Sequence, residues 1–208
     1  MTRFRAVLRQ ELIAVISAAA LFIPGSYDCH AGVDVTAAQK WLIDQGKLVG
    51  TFLEEHSNGR KLEGKIYMSL PGRMRLEYSI PYGKMIIIDG ETIAYFDEID
   101  GALPKFYSLN KIEWASLILS GDFSLKGNSY IIGAQEDGNM ISIYLSNSPE
   151  AKEYMVLYFS KVENRLRGWY LSTTTSNVLF TITEAEDLSF IDLKLFDIAA
   201  EIRARGTK

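Results

Sequence analysis

Few residues in this chain have the types and spacing that chemistry needs. His56 stands before a Ser57-Asn58-Gly59 turn, where one imidazole could serve as a base or metal ligand, but no cysteine or second histidine follows to complete a site. Glu54-Glu55 and Asp97-Glu98 are carboxylate pairs, yet adjacent residues on a strand leave opposite faces, so neither pair converges on a proton or a metal. Arg73, Arg75 and Glu77 share one face of an alternating run. They read either as an anion site or, more in keeping with surface charges, as a solvated strand face with cross-strand ion pairs. There is no Gly-rich phosphate loop, no Gly-x-Ser-x-Gly elbow and no zinc spacing. The sequence therefore predicts no catalytic residue, no metal site and no cofactor.

The strongest pattern is structural. From Leu62 onward, Leu62, Gly64, Ile66, Met68 and Leu70 alternate with Glu63, Lys65, Tyr67 and Ser69. After Pro71-Gly72, Met74, Leu76, Tyr78 and Ile80 alternate with Arg73, Arg75, Glu77 and Ser79. A period of two marks half-buried strands. Pro81-Tyr82-Gly83 and Asp89-Gly90 supply the next turns. Met85-Ile86-Ile87-Ile88 is apolar on both faces and should be covered on both or lie near a lid. Alternation thus predicts one inner apolar wall made of Ile66, Met68, Leu70, Met74, Leu76, Tyr78, Ile86 and Ile88. Arg73, Arg75 and Glu77 should face outward.

The motif Leu70-Pro71-Gly72-Arg73-Met74-Arg75-Leu76-Glu77-Tyr78, followed by Pro81, Asp89-Gly90 and Phe96-Asp97, resembles the core signature of the LolA family, periplasmic carriers of outer-membrane lipoproteins. The resemblance covers most of residues 41–122 and, more loosely, the later strands. It implies an unclosed antiparallel β-barrel, a curved half-barrel sheet, covered by short helices. It also implies a hydrophobic cavity for acyl chains, acylated lipoproteins as cargo, an inner-membrane lipoprotein-releasing ABC transporter as donor, and an outer-membrane lipoprotein acceptor. The chain departs from the family at four places: Leu70 replaces an arginine that helps hold the lid, Met74 a phenylalanine, Leu76 a tryptophan and Ala94 an aromatic. A softer cavity and a looser latch follow.

The remaining elements must position that wall. Asp34 or Thr36 can cap a helix running to about Gln45, with Ala37, Ala38, Trp41 and Leu42 on its apolar stripe and Gly46 as its stop. Leu48 to Glu55 reads as a strand, as does Pro104 to Leu109. Lys111 to Ser120 reads as a short helix, apolar enough either to plug the core or to lie over the mouth of the sheet, with Trp114, Leu117 and Ile118 as lid residues. Strands follow at Asn128–Gln135, Met140–Leu145, Glu153–Ser160, Leu166–Ser172 and Val178–Glu184, at a spacing that suits one large curled sheet. Phe190 to Ile202 fits either a final strand or a helix.

Residues 1–31 have the form of a signal peptide. Arg3, Arg5 and Arg9 precede an apolar stretch from Leu12 to Ile23, Pro24-Gly25 breaks it, and Cys29-His30-Ala31 offers a cleavage site. Tyr27-Asp28 suits lipidation of Cys29 poorly. Cleavage after Ala31 leaves residues 32–208 as one domain without its single cysteine, exported to the periplasm. The net charge of −4, with basic residues scattered, argues against nucleic acid as a partner. A monomeric carrier is the reading that fits these features together. A lipid-sensing half-barrel shares every one of them, and an envelope hydrolase lacks a nucleophile and base.

Overall fold

The computed structural model describes residues 33–97, 103–108 and 130–206. The helix α1 begins at Thr36–Lys40 and continues as a wider π turn over Trp41–Gln45. The Asp34 carboxylate accepts from the Thr36 amide at 2.9 Å, which satisfies one of the orphan donors of its first turn. Eleven strands follow: β1 (Lys47–His56), β2 (Lys61–Ser69), β3 (Arg73–Ile80), β4 (Tyr82–Ile88), β5 (Thr92–Asp97), β6 (Lys105–Ser108), β7 (Ile131–Asp137), β8 (Met140–Leu145), β9 (Tyr154–Ser160), β10 (Arg165–Ser172) and β11 (Asn177–Asp187). A single turn of 3₁₀ helix at Leu193–Phe196 and the helix α2 at Ile198–Gly206 close the chain.

All eleven strands form one antiparallel sheet in the order β6-β5-β4-β3-β2-β1-β11-β10-β9-β8-β7. Two hairpin ladders, β1 to β6 and β7 to β11, meet where β1 pairs with β11. The edges β6 and β7 do not pair, so the barrel is unclosed. This is the fold class that the sequence predicts. The turns carry the chemistry that hairpins need: the Asp89 carboxylate accepts from the Glu91 and Thr92 amides while Gly90 takes a φ of 113°, a region that L side chains avoid.

Alternation sets the two faces. The inner face gathers Leu48, Phe52, Ile66, Met68, Met74, Leu76, Ile141, Ile143, Leu157, Phe159, Phe180 and Ile182 into one buried cluster, and Ala38, Trp41 and Leu42 of α1 pack onto it. On the outer face, Met85, Ile87, Ala94 and Phe96 form a second cluster with Ile191, Phe196 and Ile198. That explains the doubly apolar run in β4. Ile88 belongs to the inner cluster and Ile86 packs against it, while Met85 and Ile87 lie under the C-terminal segment. A third cluster, built on Tyr144, Val156 and Tyr158, covers part of the outer face of β8 and β9.

Two expectations need correction. Ile80 does not continue the inward row but is 56% exposed, because register shifts at Glu63/Gly64 and Glu77/Ser79 pair it with Glu63 of the opposite face. Arg75 does face outward, but not into solvent. Its side chain is 11% exposed, and it donates to Glu77 in its own strand, to the Leu195 carbonyl and, through both terminal nitrogens, to Glu201 of α2. Phe190 to Ile202 resolves as the 3₁₀ turn and helix rather than a strand, and Arg75 is the peg that holds it down. Glu201 also accepts from Arg205. The predicted helix at residues 111–120 lies outside the described residues. Among those described, no helix is long and apolar enough to cross a membrane.

Arg75→Ala should leave the Leu195 carbonyl and Glu201 Oε2 without their donor beneath the sheet, with Arg205 still on Glu201 Oε1. It should cost about 3 kcal/mol in urea unfolding, whereas Lys65→Ala on the exposed strand face should change stability by less than about 0.5 kcal/mol. Burial works to raise the Glu201 pKa, but hydrogen bonds and charge from Arg205 and Arg75 outweigh it and hold it below 4.5. A carboxylate with a depressed folded pKa adds stability above its unfolded value and loses it as pH falls through the folded one. The Arg75→Ala penalty should therefore shrink as the pH is taken below about 4.5, as unfolding measured along a pH series would reveal.

Candidate functional site

The wall predicted from alternation is assembled. Ile66, Met68, Leu70, Met74, Leu76, Tyr78 and Ile88 all lie in the inner cluster, and Ile86 is partly buried against it. The cross-strand register accounts for the grouping: Ile66 pairs with Leu76, Met68 with Met74, Met74 with Ile88, and Leu76 with Ile86. Three strands, β2 to β4, thus put flexible and branched aliphatic side chains in adjacent rows. Trp114, Leu117 and Ile118 lie outside the described residues.

The structure adds a part that alternation in the first meander does not reach. Trp169 stacks on Phe180 with ring centroids 4.0 Å apart and planes 5° apart, Phe180 stacks on Phe52 at 4.6 Å, and Phe52 meets Tyr78 edge to face at 5.1 Å. This aromatic platform crosses the inner face from β10 over β11 and β1 to β3. It steps across β2 at Gly64, which pairs with Phe52 on one side and Tyr78 on the other. A side chain at residue 64 would fill the space where the two rings meet. Trp169 is the partly exposed member of the row.

A polar chain ends the platform. Tyr78 donates its hydroxyl to Glu54 Oε2 at 2.7 Å, and His56 Nε2 lies 2.6 Å from Glu54 Oε1. Glu54 is opposite Phe180 in the β1–β11 pairing and opposite Leu62 in the β1–β2 pairing, so the carboxylate sits within the apolar face rather than at its edge. Among the described residues it is the one buried aspartate, glutamate, lysine or arginine. Burial, then the nearby Glu54 charge, pushes the Tyr78 hydroxyl well above the ordinary phenol range, so it remains a donor. Glu55 faces the other way and pairs with Lys61, as adjacent strand residues must. His56 is therefore not a solitary loop residue. It occupies the last position of β1, two residues from Glu54 and on the same face. The sequence signal was present in that spacing, because residues at i and i+2 of a strand share a face.

The other candidates do not converge. Asp97 pairs with Lys84 and accepts from the Tyr95 hydroxyl. Arg73 lines an open groove of about 660 Å³ between α2 and the outer face of β3 to β6, together with Phe106, Leu193 and Ile202. Among the described residues, no group of three or more histidine, cysteine, aspartate or glutamate side chains could hold a metal ion.

Comparison with known proteins follows this geometry. The family model described as outer membrane lipoprotein carrier protein LolA matches residues 48–198. Several solved structures are similar to the chain at low identity. One is a complex of Pseudomonas aeruginosa MucA and MucB, at 14% identity and TM-score 0.45, covering 80% of this chain and 60% of that one. Another is a LolA superfamily protein from Nitrosomonas europaea, at 8% identity and TM-score 0.43, covering 80% and 96%. A third is a putative outer membrane lipoprotein-sorting protein domain from Vibrio parahaemolyticus, at 8% and 0.42, covering 85% and 100%. No curated protein matches the chain by sequence.

A Cβ on residue 64 would lie 2.1 Å from the Glu77 carbonyl oxygen and 2.8 Å from Phe52 Cε1. Gly64→Ala should therefore part β2 from β3 and displace Phe52 from Tyr78. A stability loss of about 1–3 kcal/mol is expected, with a changed near-UV circular dichroism signal from the aromatic platform. Unchanged stability and spectrum would mean that the rings do not depend on the gap above Gly64.

Proposed function

The chain belongs to the LolA family of outer membrane lipoprotein carrier proteins, and from that premise we propose that it is a periplasmic carrier that holds the acyl chains of lipoproteins against its inner face. The observation that carries this reading is the inner face itself. An unclosed sheet of eleven strands presents a continuous wall of Ile, Leu, Met and aromatic side chains, with the partly exposed Trp169, Leu171, Ile86 and Ile93 packed around its buried centre.

Such a wall suits alkyl chains. Methionines such as Met68 and Met74 are unbranched and can repack around chains of different length and shape. Removing a chain from water is favourable by about 0.8 kcal/mol for each buried methylene. No covalent step is required. The carrier takes a lipidated protein from an inner-membrane ABC transporter and yields it to an outer-membrane acceptor that binds the chains better. Direction comes from that difference in affinity, and the carrier needs no energy source of its own. In this reading residues 1–31 are a signal peptide and the working protein is a monomer.

Met74→Glu should put a charge where the acyl chains lie and lower the affinity for a fluorescent acyl probe by at least about tenfold, since an unpaired buried charge costs several kcal/mol. Lys65→Glu, on the exposed outer face of β2, should leave probe binding unchanged. The reading fails if both variants bind the probe as the parent does. It fails equally if Lys65→Glu is the one that loses binding. Arg75 is no neutral control here, because it anchors α2.

Export has its own measurement. The intact mass of the protein recovered from the periplasm should begin at Gly32. A mass carrying acyl groups on Cys29 would instead tether the chain to a membrane and overturn the soluble-carrier reading.

A further inference from the structure

Packing does not account for Glu54. Replacing a buried charged pair by hydrophobic groups of similar volume is commonly neutral or stabilising, so a carboxylate at the end of the aromatic platform adds little that a leucine would not. Its two hydrogen bonds, from Tyr78 and His56, occupy one position on each oxygen. A carboxylate has about four acceptor positions, so it retains capacity for more donors. A molecule lying along the platform between Glu54 and the partly exposed Trp169 would bring its donors to that oxygen pair.

We propose that Glu54, held in place by His56 and Tyr78, is the head-group subsite of the inner face, and that it binds the N–H donors of an amphiphile: an ammonium or an amide adjoining an alkyl chain. The subsite rests on the carrier reading, because it needs a chain lying on the wall beside it. The geometry sorts head groups by charge. A carboxylate or phosphate brought to Glu54 meets a like charge in low-dielectric surroundings, whereas an N–H donor completes its shell. Two basic groups bear on the site. His56 shares Glu54 through Nε2 and competes with an incoming donor. Arg60, whose charge reaches Tyr78, is exposed at the turn after β1, where solvent screens it. Tyr78 is fixed as a donor and so aims the carboxylate without neutralising it. A purely structural latch, tying β1 to β3 across β2, would give no dependence of binding on the head.

The test is displacement of a neutral naphthylamine probe by three amphiphiles with the same twelve-carbon chain: dodecylammonium, an N-dodecanoyl amino-acid amide, and dodecanoate. The parent protein should bind a donor head about tenfold more tightly than dodecanoate, as a hydrogen bond to a charged group warrants. Tight binding of the amide points to an acylated peptide as the natural source, and tight binding of the ammonium alone points to an aminolipid. Glu54→Gln should reduce the preference to less than about twofold. His56→Ala, which frees Oε1, should widen it, and Glu55→Gln on the outer face should leave it unchanged. A latch alone moves none of these ratios. If Glu54→Gln does not fold, His56→Ala carries the test by itself. The subsite is overturned if the parent protein binds all three heads equally, if the preference survives Glu54→Gln, or if His56→Ala leaves the preference unchanged. Head-independent binding leaves the carrier reading standing. Failure of all three to displace the probe removes both.

Discussion

The pairing of β1 with β11 is the contact on which the rest of the structure depends. Each ladder of hairpins can form locally, but neither has an inner face wide enough to bury its own apolar residues. Antiparallel contact between β1 and β11 joins the two ladders into one sheet and brings Phe52 beside Phe180, 128 positions away in the chain. The register is fixed by a shift between Thr51 and Phe52, where Thr183 is accommodated as an extra residue and its hydroxyl meets that of Thr51 at 2.8 Å. Without that shift Ile182 and Ala185 could not both face inward, because a slip of one residue turns every side chain to the opposite face.

Ala38, Trp41 and Leu42 of α1 pack on part of the inner face, but the outer face needs cover too wherever it is apolar. The C-terminal segment supplies it over β3 to β5. Phe196 and Ile198 bury Met85, Ile87 and Phe96, and Arg205 lies 4.9 Å from the Phe96 ring centre. The segment offers little apolar area of its own, and α2 is short, so the Arg75–Glu201 pair fixes where it docks. A guanidinium in contact with a carboxylate, a carbonyl and a second carboxylate has few other places to go.

Glu54 on the inner face and Arg75 on the outer face play different parts. Arg75 joins two layers and is satisfied within the protein. Glu54 joins two strands of one layer and remains open to a further donor. Both stand in strands that otherwise alternate regularly, and both interrupt an apolar surface that would be more uniform without them. In a carrier the distinction matters. A wall that is apolar throughout holds any chain in any orientation, while one polar end gives the bound molecule a direction and so determines which end emerges first for the next partner.

By itself the sequence determined the inner wall. Ile66, Met68, Met74, Leu76 and Ile88 were legible because a strand has a strict period of two and its turns are marked by glycine, proline and aspartate. The double cover over β4 was legible for the same reason, since Met85 to Ile88 is apolar on both faces. The exposure of Ile80 was not, because bulges leave no mark in a hydrophobic pattern. Nor was the fate of Arg75, whose partners Leu195 and Glu201 lie 120 and 126 residues away. The aromatic platform and the Glu54 site were decided by tertiary structure alone. Phe180 and Trp169 join Phe52 and Tyr78 only when β1 pairs with β11, and Tyr78 reaches Glu54 from β3 across β2, where its own partner Gly64 carries no side chain. Alternation tells which way a side chain points. What it then touches depends on which strands lie beside its own, and that is fixed by long-range pairing that no local pattern encodes.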